Sequence, residues 1–116
     1  MNPSALFIIT SDPRVSARPA EAVRIAAGVG TWKKVDLALC LRGPAVLALS
    51  EQADELVDGE NFTRYLPAVP GFGRPIYVER GAPFLAQLGQ AAAQYEEMAD
   101  DQLARLAAQS DYVVRF

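Results

Sequence analysis

Cys40 is the only cysteine of this chain, and the chain has no histidine. Thiol chemistry therefore has one place to occur. Histidine is the side chain that titrates near neutral pH. Its absence removes Ser-His and Cys-His nucleophile pairs and every His-containing zinc site. Cys40 lies near the end of the apolar run Val35–Leu41, just before Arg42-Gly43-Pro44. It is either an inert core thiol or a reactive thiol at a strand end, where Arg42 would favour its anion. A lone cysteine forms no internal disulfide, which fits a reducing cytoplasm.

Other groupings look like motifs without carrying their chemistry. Gly28-Val29-Gly30 follows a helical stretch rather than a strand and lacks the third glycine of a dinucleotide fingerprint. Gly71-Phe72-Gly73 precedes a strand and fails likewise. The acidic residues Asp54, Glu55, Asp58 and Glu60, and again Glu96, Glu97, Asp100 and Asp101, lack calcium-loop spacing and read as solvated faces. Asn61-Phe62-Thr63 matches a glycosylation acceptor by chance. No cofactor and no metal ligand set is expected from these patterns.

The elements that must position any site alternate along the chain. Ala5–Ile9 is a short apolar run between Pro3-Ser4 and Thr10-Ser11-Asp12-Pro13, as in a strand buried on both faces. Arg18–Ala27 has helical spacing, with Pro19 in its first turn and Gly28 and Gly30 as its stop. Lys34–Leu41 is the second strand, with Val35, Leu37, Leu39 and Leu41 on one face and Asp36, Ala38 and Cys40 on the other. A short helix over Ala45–Ser50, an exposed acidic stretch over Gln52–Asn61 and a weakly helical Phe62–Val69 follow. Val69–Gly73 reads as a loop. Ile76–Val78 is a third strand, Ala82–Ala93 a helix, and Gln94–Met98 a fourth strand or, as the alternative, an extension of that helix. Asp100 caps a helix to Ala108, and Tyr112–Phe116 is the last strand. The alternation predicts one three-layer α/β/α domain over 1–116, with a mostly parallel sheet of four to five strands.

Ligands of such open sheets bind outside the carboxyl ends of the strands. That rule selects Thr10, Ser11 and Asp12 after the first strand, Cys40, Arg42 and Gly43 at the second, and Glu79 and Arg80 after the third. The plainer alternative is that Thr10, Ser11 and Asp12 only shape a turn, while Arg42 and Arg80 pair with carboxylates.

Composition narrows the partners. A hydrophobic content of 51% excludes disorder, and a formal charge of −3 with no basic cluster argues against nucleic acid and anionic membrane. No run reaches membrane-spanning length, and the N-terminal residues do not read as a signal peptide.

The tail Ala107–Phe116, with Ser110-Asp111-Tyr112-Val113-Val114-Arg115-Phe116, and the opening Ala5–Thr10 and Val35–Gly43 resemble the DsrE/DsrF-like family. That family includes sulfur-relay subunits of sulfur oxidation and transfer-RNA thiolation. The resemblance covers nearly the whole chain in element order. It implies a DsrE-like fold and assembly of like copies into trimers or hexamers. Active relay members carry a cysteine just after the third strand. The matching stretch here, Tyr77-Val78-Glu79-Arg80-Gly81, has none, so a persulfide role does not carry over. Trp32, Phe62, Tyr65, Phe72 and Phe84, near loops or helix starts, are the expected contacts between copies, the alternative being that single aromatics simply close the core. The reading is a non-catalytic homo-oligomer binding a small molecule or protein at the strand ends. The alternative is a sulfurtransferase or redox relay using Cys40.

Overall fold

The chain alternates short apolar runs with helical stretches, and a computed structural model describing residues 2–116 shows how they layer. The strands are β1 (Ser4–Ile9), β2 (Asp36–Leu41), β3 (Ile76–Glu79), β4 (Tyr95–Met98) and β5 (Tyr112–Arg115). They form one sheet in the order β4-β3-β2-β1-β5, and every neighbouring pair is parallel. The α-helices are α1 (Arg18–Trp32), α2 (Glu60–Tyr65) and α3 (Asp100–Gln109). The expected three-layer parallel architecture is present.

Period-two alternation in β1 and β2 divides the core. Ala5, Phe7, Ile9, Leu37, Leu39 and Leu41 face one layer, where Ala20, Val23 and Ala26 of α1 and Phe62 of α2 cover them. Leu6, Ile8, Ala38 and Cys40 face the other. There Leu103, Leu106 and Ala107 of α3 pack on them, at the i, i+3, i+4 spacing of one helix stripe. Right-handed crossovers explain the split. The chain winds from β1 through β4 in one direction, then returns across the other face, under α3, to add β5 beside β1.

Several boundaries differ from those read in the sequence. Helix α1 does not stop at Gly28 or Gly30 but runs to Trp32, and Lys33 ends it in the left-handed region at φ 61°. Gly30 lies inside the helix because the Phe72 ring packs where its Cβ would be. The short helix after β2 is a 3-10 helix, Gly43–Leu49. Residues Leu66–Phe72 form another, so the segment expected as a loop is wound. The acidic stretch is exposed as expected, except that Ala53 and Gly59 are buried.

Ala82–Ala93 is not a helix. Only Pro83–Gln87 winds, as a 3-10 turn between Gly81 and Gly89, both at positive φ. Its backbone groups bond outward instead. Ala92 N–H donates to Leu49 O at 2.9 Å, and Leu88 O accepts from Glu51 N–H at 3.0 Å. These bonds satisfy buried polar groups that a helix would have paired internally. In α3 the N-cap is Ala99 rather than Asp100, and Gln102 Oε1 accepts its N–H at 2.8 Å.

The two helical glycines make opposite predictions. At Gly28 nothing lies within 4 Å of the place a Cβ would occupy, so Gly28→Ala should stabilise by about 0.5–1 kcal/mol through helix propensity. Gly30→Ala meets the Phe72 ring and should lose stability instead. Urea denaturation of the two variants checks the contrast, and equal stabilisation would contradict the packing.

Candidate strand-end site

Parallel register sets four side chains in a row across the sheet beneath α3. Arg115 pairs with Ile8, Ile8 with Cys40, and Cys40 with Tyr77. The row lies near the carboxyl ends of β5, β1, β2 and β3. Cys40 is fully buried in it. Burial pushes its thiol up from 9.0 to about 11, and the neighbouring Arg42 guanidinium only partly offsets this. A thiol of that kind carries almost no thiolate at neutral pH.

Arg42 leaves the sheet directly after β2 and gathers two carboxylates. Its Nη2 lies 2.8 Å from Asp100 Oδ1 and 3.5 Å from Glu79 Oε2. Glu79 Oε1 also accepts the Gly43 N–H at 2.8 Å, fixing the turn into the 3-10 helix. Arg42 Nη1 is buried and has no hydrogen-bond partner.

Beside this cluster is a cavity of about 290 Å³, lined by Ile8, Thr10, Arg42 and Arg115 and by Leu103 and Ala107 of α3, among others. It sits where winding reverses between β1 and β5, the switch point at which open parallel sheets place ligands. A cavity of about 330 Å³ lies at the opposite, amino ends of the strands. Most of its polar side chains already have partners there. Arg74 forms a two-bond pair with Asp36, and Asp111 Oδ2 accepts the Ser4 N–H at 2.8 Å.

The residues expected at the site separate into groups. Thr10 and Arg42 line the cavity; Glu79 pairs with Arg42 and is itself held by the Gly43 N–H. Ser11 is not among its lining residues. Asp12 serves a turn: its carboxylate accepts both the Arg14 N–H, at 2.9 Å, and the Arg14 guanidinium, which holds it below the usual carboxylate range. Arg80 is exposed and hydrogen-bonds through its N–H to Met98 O at 3.1 Å. Arg115 and the α3 wall were missed. Their signal was present in the rule for strand carboxyl ends, which applies to the last strand as much as to the first.

These features define a parallel three-layer α/β protein with a cavity at its switch point. The fold is similar to the crystal structure of the YchN protein from E. coli, a protein of DsrE/DsrF-like fold, with a TM-score of 0.81 at 18% identity over 100% of both chains. At that identity the likeness concerns the fold. No protein-family model matches the chain, and no curated protein matches it.

Cys40→Ser should lower stability by about 1–3 kcal/mol at pH 7, because the hydroxyl is buried without a designed partner. The pH dependence has a definite sign. The unfolded thiol ionises near 9.0 and the folded one near about 11, so the folded state holds more protons between those values. Stability from the thiol is full below pH 9 and falls as pH rises through this window. The gap between wild type and Cys40→Ser should therefore narrow from pH 9 toward 11. Denaturant titrations at stepped pH check this; a gap that widens would contradict it.

Proposed function

We propose that this chain is a non-catalytic, homo-oligomeric DsrE-like protein of the cytoplasm that binds a small molecule or a protein partner at the carboxyl ends of its strands. The observation that carries the reading is the switch-point cavity, with Thr10, Arg42 and Arg115 facing an apolar wall of α3. Pockets of this kind combine apolar lining with a few placed polar groups.

Chemistry at Cys40 has little support. The thiol is buried, its pKa is raised, and the turn after β3, Glu79-Arg80-Gly81, has no cysteine to take a relay role. The sulfur-relay alternative would require exposure that the closed α3 layer denies it. No described helix is long and apolar enough to cross a membrane.

Assembly of like copies has its own support, though not from the residues first expected to provide it. Phe62 is buried, and Tyr65, Phe72 and Phe84 pack against the core. Of that group only Trp32 is strongly exposed. A run of three exposed apolar residues lies instead on β5, at Tyr112, Val113 and Val114, where an edge strand leaves backbone groups unpaired.

Two measurements test the proposal. Light scattering at micromolar concentration should return a multiple of the monomer mass; a monomer would count against assembly. A fragment set screened by amide NMR should shift Thr10, Arg42, Leu103 and Arg115. Shifts confined to other surfaces, or a persulfide on Cys40 after incubation of native protein with a sulfur donor, would sink the binding reading.

A further inference from the structure

Building on the strand-end reading, we infer that the cavity takes a small carboxylate with a short apolar body, its head on Arg115 and Arg42 and its body along α3. Three observations converge on this ligand class.

The first is unspent positive charge. Arg115 reaches the cavity and makes no ion pair among the described residues. Arg18, likewise without an ion pair there, donates from Nη2 to Arg115 O at 3.4 Å. Arg42 also lines the cavity, and its Nη2 is shared between two carboxylates, the nearer of them largely solvated.

The second is the kind of acid already present. Asp100 is the one acidic residue lining the cavity, and its side chain is 82% exposed. An ion pair with one partner largely in water is weak. A ligand carboxylate can take its place on Arg42 while Asp100 returns to solvent in the first turn of α3, where a negative charge remains favourable. Glu79 stays paired with Arg42, held in place by the Gly43 N–H. With Asp100 displaced, Arg42 and Arg115 against Glu79 leave one net positive charge, which matches a monoanion. A planar guanidinium fork suits the planar carboxylate.

The third is the opposite wall. Ile8, Leu103, Ala104 and Ala107 present only hydrocarbon to the cavity. The volume of about 290 Å³ stands at the small end of ligand pockets, which run from about 300 Å³. An inorganic anion would leave that wall wet.

Amide NMR on the full chain with butyrate, n-butanol and inorganic phosphate tests the inference. Butyrate should shift Thr10, Arg42, Leu103 and Arg115 saturably. Butanol and phosphate should each bind about tenfold more weakly or worse, since each lacks one half of the recognition. Arg115→Gln should weaken butyrate by about tenfold. Ala104→Trp, from an exposed helix position, should fill the cavity and abolish the shifts. Dispersed spectra of both variants confirm that they fold. Butanol binding at the same amides as tightly as butyrate overturns the carboxylate class and leaves the strand-end reading standing. Phosphate binding as tightly as butyrate overturns the apolar body in the same way. An Arg115→Gln variant with unchanged butyrate affinity overturns the placement of the head. If none of the probes shifts these amides, the inference fails; if the fragment set also fails to do so, the strand-end reading fails with it.

Discussion

Burying β1 and β2 on both faces is the constraint on which the rest depends. Leu6, Ile8, Ala38 and Cys40 alternate with Ala5, Phe7, Ile9, Leu37, Leu39 and Leu41, and neither set can be left in water. The larger set is covered by α1, α2 and the 3-10 segments of the β2–β3 connection. The smaller set has only α3. Covering it requires the chain to turn back after β4, and the return delivers β5 beside β1. The switch point and its cavity are thus consequences of hydrophobic burial rather than separate features.

Electrostatics then refine what topology provides. Arg42 is where the two layers meet, joined to Glu79 at the end of β3 and to Asp100 at the start of α3. The Glu79 contact is braced by the Gly43 N–H, while Asp100 is largely solvated. Of the two carboxylates that share Nη2, one is therefore held and the other is largely in water. The same guanidinium lies close enough to Cys40 to favour its anion, yet burial outweighs this. Arg42 therefore lines the cavity while leaving the thiol protonated at neutral pH.

Much of this was legible in the residues, and the failures have physical causes. β1, β2 and β3 were readable because apolar runs bounded by Pro, Gly and Asp are strong local signals, whereas β4, Tyr95-Glu96-Glu97-Met98, lacks an apolar run and read equally as a helix extension. The apolar face and the Cys40 face of β2 followed from alternation alone. Helix limits were less legible because they depend on distant partners. Gly30 ends a helix in most contexts, but here the Phe72 ring occupies the space beside it. Ala82–Ala93 is rich in helix formers, but its carbonyls and amides are claimed by Leu49 and Glu51. Within the site, Thr10 and Arg42 could be found from strand ends, whereas Leu103, Ala104 and Ala107 could not. Their contribution depends on α3 crossing above β1, which only the strand order reveals.

That strand order also puts the proposed binding site and the proposed contact edge on one strand. Arg115 reaches the cavity from β5, whose inner edge pairs with β1 through the register Ile8–Arg115. Its outer edge is free, and Tyr112, Val113 and Val114 are exposed along it. An edge strand held on one side only is less constrained than a central one, since half of its backbone groups bond to water. The position of the Arg115 guanidinium is then only as fixed as the strand that carries it. Whatever pairs with the outer edge of β5 restrains that strand and lowers the entropy lost when Arg115 closes on an anion. Site and edge are opposite sides of one four-residue strand, so a copy docked there would act on affinity without touching the ligand.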